Sequence, residues 1–136
     1  MLRKIAFTVV LCVLGALLLT GVAVAEDKVI KIGALFPLTG PSAVSGQNCL
    51  NSVLAAAELI NGAYEGFDVP LAATEGLLGG YKVEIIKADH QGKPDVAKSE
   101  AERLYNQEGV FAVIGSYNSA ATKPASAVAE RAKKLF

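Results

Sequence analysis

Three times along this chain a short apolar run leads through a turn into a helical pattern. Val29-Ile-Lys-Ile-Gly-Ala-Leu-Phe36 is apolar nearly throughout, Lys31 excepted, and predicts a strand covered on both faces. Pro37 ends it, and Leu38 to Gly46 is rich in turn formers. From Gln47 to Asn61, Leu50, Val53, Leu54, Ala57 and Ile60 recur at three- and four-residue spacing, which predicts a helix stopped by Asn61-Gly62. Tyr81 to Asp89 sets Val83 and Ile85 against Lys82 and Glu84, the alternation of an edge or half-exposed strand. Pro94 is placed to open a second helix running to Gln107, with Val96, Ala97, Ala101, Leu104 and Tyr105 inward and Lys98, Glu102 and Arg103 toward water. Val110 to Gly115 predicts a buried parallel strand, and the alanine-rich run from Ala120 to Lys133 a third helix.

The order βαβαβα predicts the α/β class: a doubly wound parallel sheet with right-handed crossovers and helices on both faces. One segment breaks the rhythm. Ala63 to Gly80 has no period, interrupted by Gly66, Pro70, Gly76, Gly79 and Gly80, and predicts a long surface excursion. It would shape a ligand mouth, contact a partner or decorate the rim.

The two ends carry different information. Arg3 and Lys4 precede an almost wholly apolar stretch, Ile5 to Val22, and Ala23-Val24-Ala25 then offers a small-x-small cleavage signal. Residues 1–25 are therefore expected to be a cleavable signal peptide directing the chain to an extracytoplasmic compartment. The alternative, a retained membrane anchor, follows from the length of the apolar stretch. Cys12 lies inside it, a poor place for a lipid-modified N-terminal cysteine. Cleavage leaves 11 of 13 basic residues against 13 acidic ones, a net charge of about −2, and no basic cluster to suit nucleic acid. Cys49 then has no cysteine partner in the chain and is expected to be a thiol buried with Val53 and Ala56. At the other end, Lys133-Lys134-Leu135-Phe136 combines a finishing helix with a starting apolar run, so the sequence is expected to be a fragment breaking off at a fourth strand.

Several catalytic readings fail on residues. Gly33, Gly40 and Gly46 are too widely spaced for a dinucleotide-binding turn, and no phosphate-binding G-x-x-x-x-G-K-[ST] occurs. His90 is the only histidine, so neither a His-based triad nor a multi-histidine metal site can be built here, and its turn position predicts a solvated side chain. Asp89 and Asp95 flank that turn and are expected in turn or cap roles. What remains is a seat for an anion. The stretch Gly115-Ser116-Tyr117-Asn118-Ser119-Ala120-Ala121-Thr122 joins a strand to a helix start, where unpaired N–H groups and the helix dipole suit a carboxylate or phosphate. Ser119 is the expected N-cap, with its hydroxyl and the N–H groups of Ala120 and Ala121 free to meet one anionic group. A plain cap that binds nothing is equally compatible with the residues. If the first strand lies between the other two, its loop and the third strand's loop flank the topological switch point.

Ile30-Lys-Ile-Gly-Ala-Leu-Phe-Pro-Leu-Thr-Gly-Pro41, followed by Gly46, resembles the opening of the periplasmic binding proteins of the branched-chain amino-acid type, the Leu/Ile/Val-binding-like receptors of ABC importers. Glu58-Leu-Ile-Asn61, Gly79-Gly80, Val83-Glu-Ile-Ile, Asp89, Pro94, Ala97, Ala101-Glu-Arg-Leu104, Val113-Ile-Gly-Ser116, Ser119, Thr122 and Pro124 continue the pattern. The resemblance implies the N-terminal part of lobe 1 of a two-lobed receptor, residues 26–136. Its ligand would be an amino acid or related amide or carboxylate, and its partner a membrane permease. It implies a monomer without cofactor, metal or catalytic residues. By the same resemblance Ser119 and Ala120 hold the ligand's α-carboxylate, Ser45 lines the pocket from the first loop, and Tyr117, Asn118 and Thr122 complete the seat. Some relatives carry an aromatic residue where this chain has Ser45, and a short Gly-Gly turn where it has the excursion. Both departures weigh against a branched-chain amino acid as the ligand. A ligand-sensing domain of a receptor or regulator, or an enzyme with all its catalytic residues downstream, are the rival readings.

Overall fold

The computed structural model describes residues 28–64, 70 and 74–136. The expected signal peptide, and the parts of the excursion at 65–69 and 71–73, lie outside the described residues. Among the described residues no helix is long and apolar enough to cross a membrane.

Three parallel strands form one sheet: β1 (Val29–Phe36), β2 (Lys82–Asp89) and β3 (Ala112–Gly115), in the order β2-β1-β3. Helix α1 (Ala43–Asn61) packs on β1 and β2, whereas α2 (Pro94–Asn106) and α3 (Ser119–Ala132) pack against each other across the sheet's other face. This is the doubly wound α/β arrangement expected, with β1 in the centre. Alternate β1 residues divide between the layers, Ala34 and Phe36 toward α1 and Leu35 toward α2 and α3.

The α2–α3 layer is built from small residues. Ala97 and Ala101 on α2, with Ala121, Ala125 and Ala129 on α3, are buried at four-residue spacing, so the helices approach closely around Leu104, Tyr105 and Val128. Leu104 is fully buried, worth about 1.5–3 kcal/mol of transfer free energy. Beneath it β1 has Gly33, where a Cβ would stand 2.9 Å from both Leu104 Cδ1 and Val113 Cγ2.

The boundaries depart from the sequence pattern in informative ways. Helix α1 begins at Ala43 rather than Gln47, its Gly46 pressed under the chain leaving β1. It ends at Asn61, as expected, but Gly62 is extended (φ −102°), not left-handed. The Asn61 side chain turns instead to the outer edge of β2, donating from Nδ2 to the Val83 carbonyl (2.8 Å) and accepting the Val83 N–H on Oδ1 (2.7 Å). Cys49 is half-buried beside the α1 layer with Val53, but Ala56 is exposed. The excursion returns through a tight hook, Leu77 and Tyr81 exchanging backbone hydrogen bonds of 2.7 Å each way. At the far end, α3 closes on Lys133 in the left-handed region, and Leu135 bridges Ala112 in parallel at β3's outer edge. The Leu135 carbonyl accepts both the Val113 N–H and the Tyr105 hydroxyl.

Candidate functional site

Register sets the site. Phe36 is level with Asp89 and Leu35 with Gly115, so all three strands release their chains along one carboxyl edge. From there β1 leads to α1 on one face and β3 to α3 on the other. The crevice between their loops is the topological switch point, where open α/β sheets take their ligands. Neither α1 nor α3 has an acidic residue in its first turn, whereas α2 has Asp95, so both dipoles flanking the crevice stay uncompensated from within.

The third loop is wired from inside. Ser116 is buried, and its hydroxyl lies 2.8 Å from Thr122 Oγ1 and 3.1 Å from the Asn118 carbonyl, which Thr122 Oγ1 also meets at 3.1 Å. Two hydroxyl protons serve these three contacts, so one proton bonds the two hydroxyls and the other the carbonyl. The same carbonyl accepts the N–H groups of Ala121 (2.9 Å) and Thr122 (3.0 Å). Tyr117 is exposed and held at φ +73°, and the loop reverses there to start α3.

This geometry corrects part of the sequence reading. Asn118, not Ser119, is the N-cap, and it makes no side-chain cap bond. Ser119 is the first helical residue, exposed, with no hydrogen bond to its hydroxyl among the described residues. The Ala121 N–H is spent on the Asn118 carbonyl, so the N–H groups left without a protein acceptor are those of Ser119 and Ala120. Thr122 turns inward as a strut for Ser116. Asn118 Oδ1 is buried and without a partner among the described residues.

The first loop is anchored by Asp89, whose Oδ1 accepts the N–H of Leu38 (2.8 Å), Thr39 (3.3 Å) and Gln91 (2.8 Å) while Oδ2 accepts the Thr39 hydroxyl (2.6 Å). The turn role expected of Asp89 is thus met. Burial raises its pKa, but the hydrogen bonds from Thr39, Gln91 and Leu38 together outweigh it and hold the carboxyl below its ordinary range. Ser45 is half-buried in the first turn of α1, the helix that follows this loop.

His90 overturns its expected solvation. It is fully buried, with Nε2 2.8 Å from the Ser116 carbonyl and Nδ1 accepting the Gly92 N–H at 3.1 Å. A carbonyl only accepts, so Nε2 carries the proton and Nδ1 the lone pair, a neutral imidazole. Sequence reasoning missed it because only the parallel approach of β3, two strands along the sheet from β2, brings that carbonyl within reach.

Two cavities among the described residues lie away from the carboxyl edge, one of about 530 Å³ at the amino edge beside Lys31 and Phe111 and an apolar groove of about 390 Å³ between α1 and the sheet. No group of acidic, histidine or cysteine residues suited to a metal ion occurs among the described residues.

The periplasmic binding protein family model matches residues 29–136. An amino acid binding protein of Pseudomonas aeruginosa is 34% identical over 103 residues, 76% of this chain and 24% of its own length. A Leu/Ile/Val-binding protein homolog of Brucella melitensis is 32% identical over 117 residues, 86% of this chain and 26% of its own. Among solved structures, a branched-chain amino acid transporter substrate-binding protein of Streptococcus pneumoniae, in complex with isoleucine, superposes with a TM-score of 0.64 at 30% identity, covering 79% of this chain and 28% of the other. This chain therefore spans about a quarter of the length of the curated relatives it matches. Its three-stranded sheet, its switch-point crevice and this match over nearly all the described residues agree: the chain belongs to the periplasmic binding protein family.

Proposed function

We propose that this chain is the N-terminal part of lobe 1 of an extracytoplasmic solute receptor that serves an ABC importer and captures an amino acid or a related amide or carboxylate. The observation that carries the reading is the pair of unacquitted N–H groups on Ser119 and Ala120, at an uncompensated helix start facing the first loop. A carboxylate or amide oxygen there accepts both N–H groups and the Ser119 hydroxyl. Ser45 and Tyr117 flank it from the two loops, and Asn118 frames its rear. The names of the relatives, amino acid and Leu/Ile/Val-binding proteins, support the ligand class.

One open wall does not hold a ligand tightly. A second lobe, supplied by the rest of the gene product, would close on the exposed side of the ligand, and its contacts would shift the open–closed balance. The loaded monomer then presents the ligand to a membrane permease, and an N-terminal signal peptide places the receptor outside the cytoplasm. No step of this cycle breaks a covalent bond.

Calorimetric titration of the full-length protein with L-isoleucine, the other common L-amino acids and their primary amides tests the proposal. At least one is expected to bind, and Ser119→Ala is expected to weaken it about 10- to 100-fold, as loss of a buried hydrogen bond of about 1–3 kcal/mol requires. Failure of the whole panel, or equal affinity in Ser119→Ala, overturns it.

A further inference from the structure

Two neighbouring residues, Asp89 at the end of β2 and His90 just after it, each reach sideways to a different loop of the crevice. Asp89 takes three hydrogen bonds from Leu38 and Thr39 of the first loop. His90 gives one to Ser116 of the third loop, at 2.8 Å. We propose that Asp89 and His90 are a positioning pair that sets the separation and orientation of the two ligand-facing loops from behind. The inference rests on reading those loops as the ligand seat.

β1 lies between β2 and β3, so β2 does not border the crevice, yet Asp89 at its end and His90 just after it touch both loops that do. His90 is fully buried, and its ring has no freedom: the Gly92 N–H fixes Nδ1 as an acceptor, which leaves Nε2–H for the Ser116 carbonyl. Ser116 then passes the constraint on through Thr122 to the first turn of α3, which carries the Ser119 and Ala120 N–H groups. On the other side, Asp89 holds Leu38 and Thr39 just ahead of the turn at Gly40 that starts α1. Because the two residues are adjacent in the chain, the loops cannot shift independently while both sets of bonds hold. Such support is what keeps a binding constellation within a fraction of an ångström of its working geometry.

Hydrogen exchange read by mass spectrometry on the ligand-free full-length protein tests this without requiring any ligand, so it stands or falls separately from the receptor reading. In His90→Leu, exchange is expected to quicken about tenfold in peptides covering 115–122, as loss of one buried hydrogen bond implies, and to stay unchanged over 37–43. Asp89→Ala is expected to give the converse. His90→Gln keeps an N–H for the Ser116 carbonyl, and Asp89→Asn keeps an acceptor for the Leu38 and Thr39 N–H groups, so both are expected to restore near-native exchange. Faster exchange spread evenly over the strands and α2 would mean that the pair is ordinary core. That outcome, equal behaviour of His90→Leu and His90→Gln, or no change in either loop overturns the proposal.

Discussion

Gly46 lies so close beneath Pro37 that a Cβ added to it would stand 2.1 Å from the Pro37 carbonyl oxygen. The first turn of α1 is pressed against the backbone leaving β1, which fixes where the first loop can run. Gly115 has the same relation to the Leu35 carbonyl, at 2.2 Å, on the β3 side. Both neighbours are backbone and cannot give way.

Gly46→Ala and Gly115→Ala are therefore each expected to destabilise the full-length protein by about 1–3 kcal/mol or more and to displace a crevice loop. Gly33→Ala meets the buried ends of the Leu104 and Val113 side chains instead of backbone, at a longer 2.9 Å, and is expected to cost the least of the three. Urea unfolding midpoints order the variants. Equal midpoints for Gly46→Ala and wild type would mean the contact is looser than described.

Ser119 and Ser116 are three residues apart and are expected to fail differently. Ser119 is exposed and unbonded, so Ser119→Ala should leave stability within about 0.5 kcal/mol while weakening ligand binding. Ser116 is buried between Thr122 and the Asn118 carbonyl, so Ser116→Ala should cost about 1–3 kcal/mol of stability. Paired thermal and calorimetric measurements on both variants separate the two roles.

Asp89 makes the first loop sensitive to acid. Its carboxyl titrates below its ordinary value because the bonds from Thr39, Gln91 and Leu38 together outweigh the opposing effect of burial. A depressed carboxylate contributes stability in full above its unfolded pKa, about 3.9, and loses it as pH falls through the lower folded value. The unfolding free energy of wild type relative to Asp89→Asn is expected to stay level between about pH 7 and 5 and to fall below about pH 4. A level difference down to about pH 2 would show that these bonds do not favour the charged form.

Asn61 serves the outer edge of β2 as a one-residue strand partner, accepting from and donating to Val83. Asn61→Asp keeps the acceptor but sets a carboxylate against the Val83 carbonyl, and Asn61→Ala loses both bonds. Each is expected to cost about 1–3 kcal/mol, with hydrogen exchange rising first at the β2 edge. Unchanged exchange at Val83 would remove Asn61 from this role.

Strand and helix identity was legible in the sequence because it rests on neighbours along the chain. The apolar run of β1, the Pro94 start of α2 and the alanine spacing of α3 are local signals, and the structure follows each to within a few residues. The candidate seat was legible as a place, the turn between β3 and α3. Its details were not. Which N–H groups remain free there depends on the Asn118 carbonyl folding back over the first turn, a choice between neighbouring acceptors that residue type does not decide.

By itself, then, the sequence determined an α/β alternation with a glycine- and serine-rich turn before α3, since periodicity and turn chemistry act over a few residues. The tertiary structure alone decided that β1 is central, that its loop and the β3 loop share one crevice, and that His90 is buried rather than solvated. The physical reason is that strand order and burial are set by which surfaces meet. The Ser116 carbonyl that accepts from His90 is 26 residues away in the chain, and only the packed sheet puts the two 2.8 Å apart.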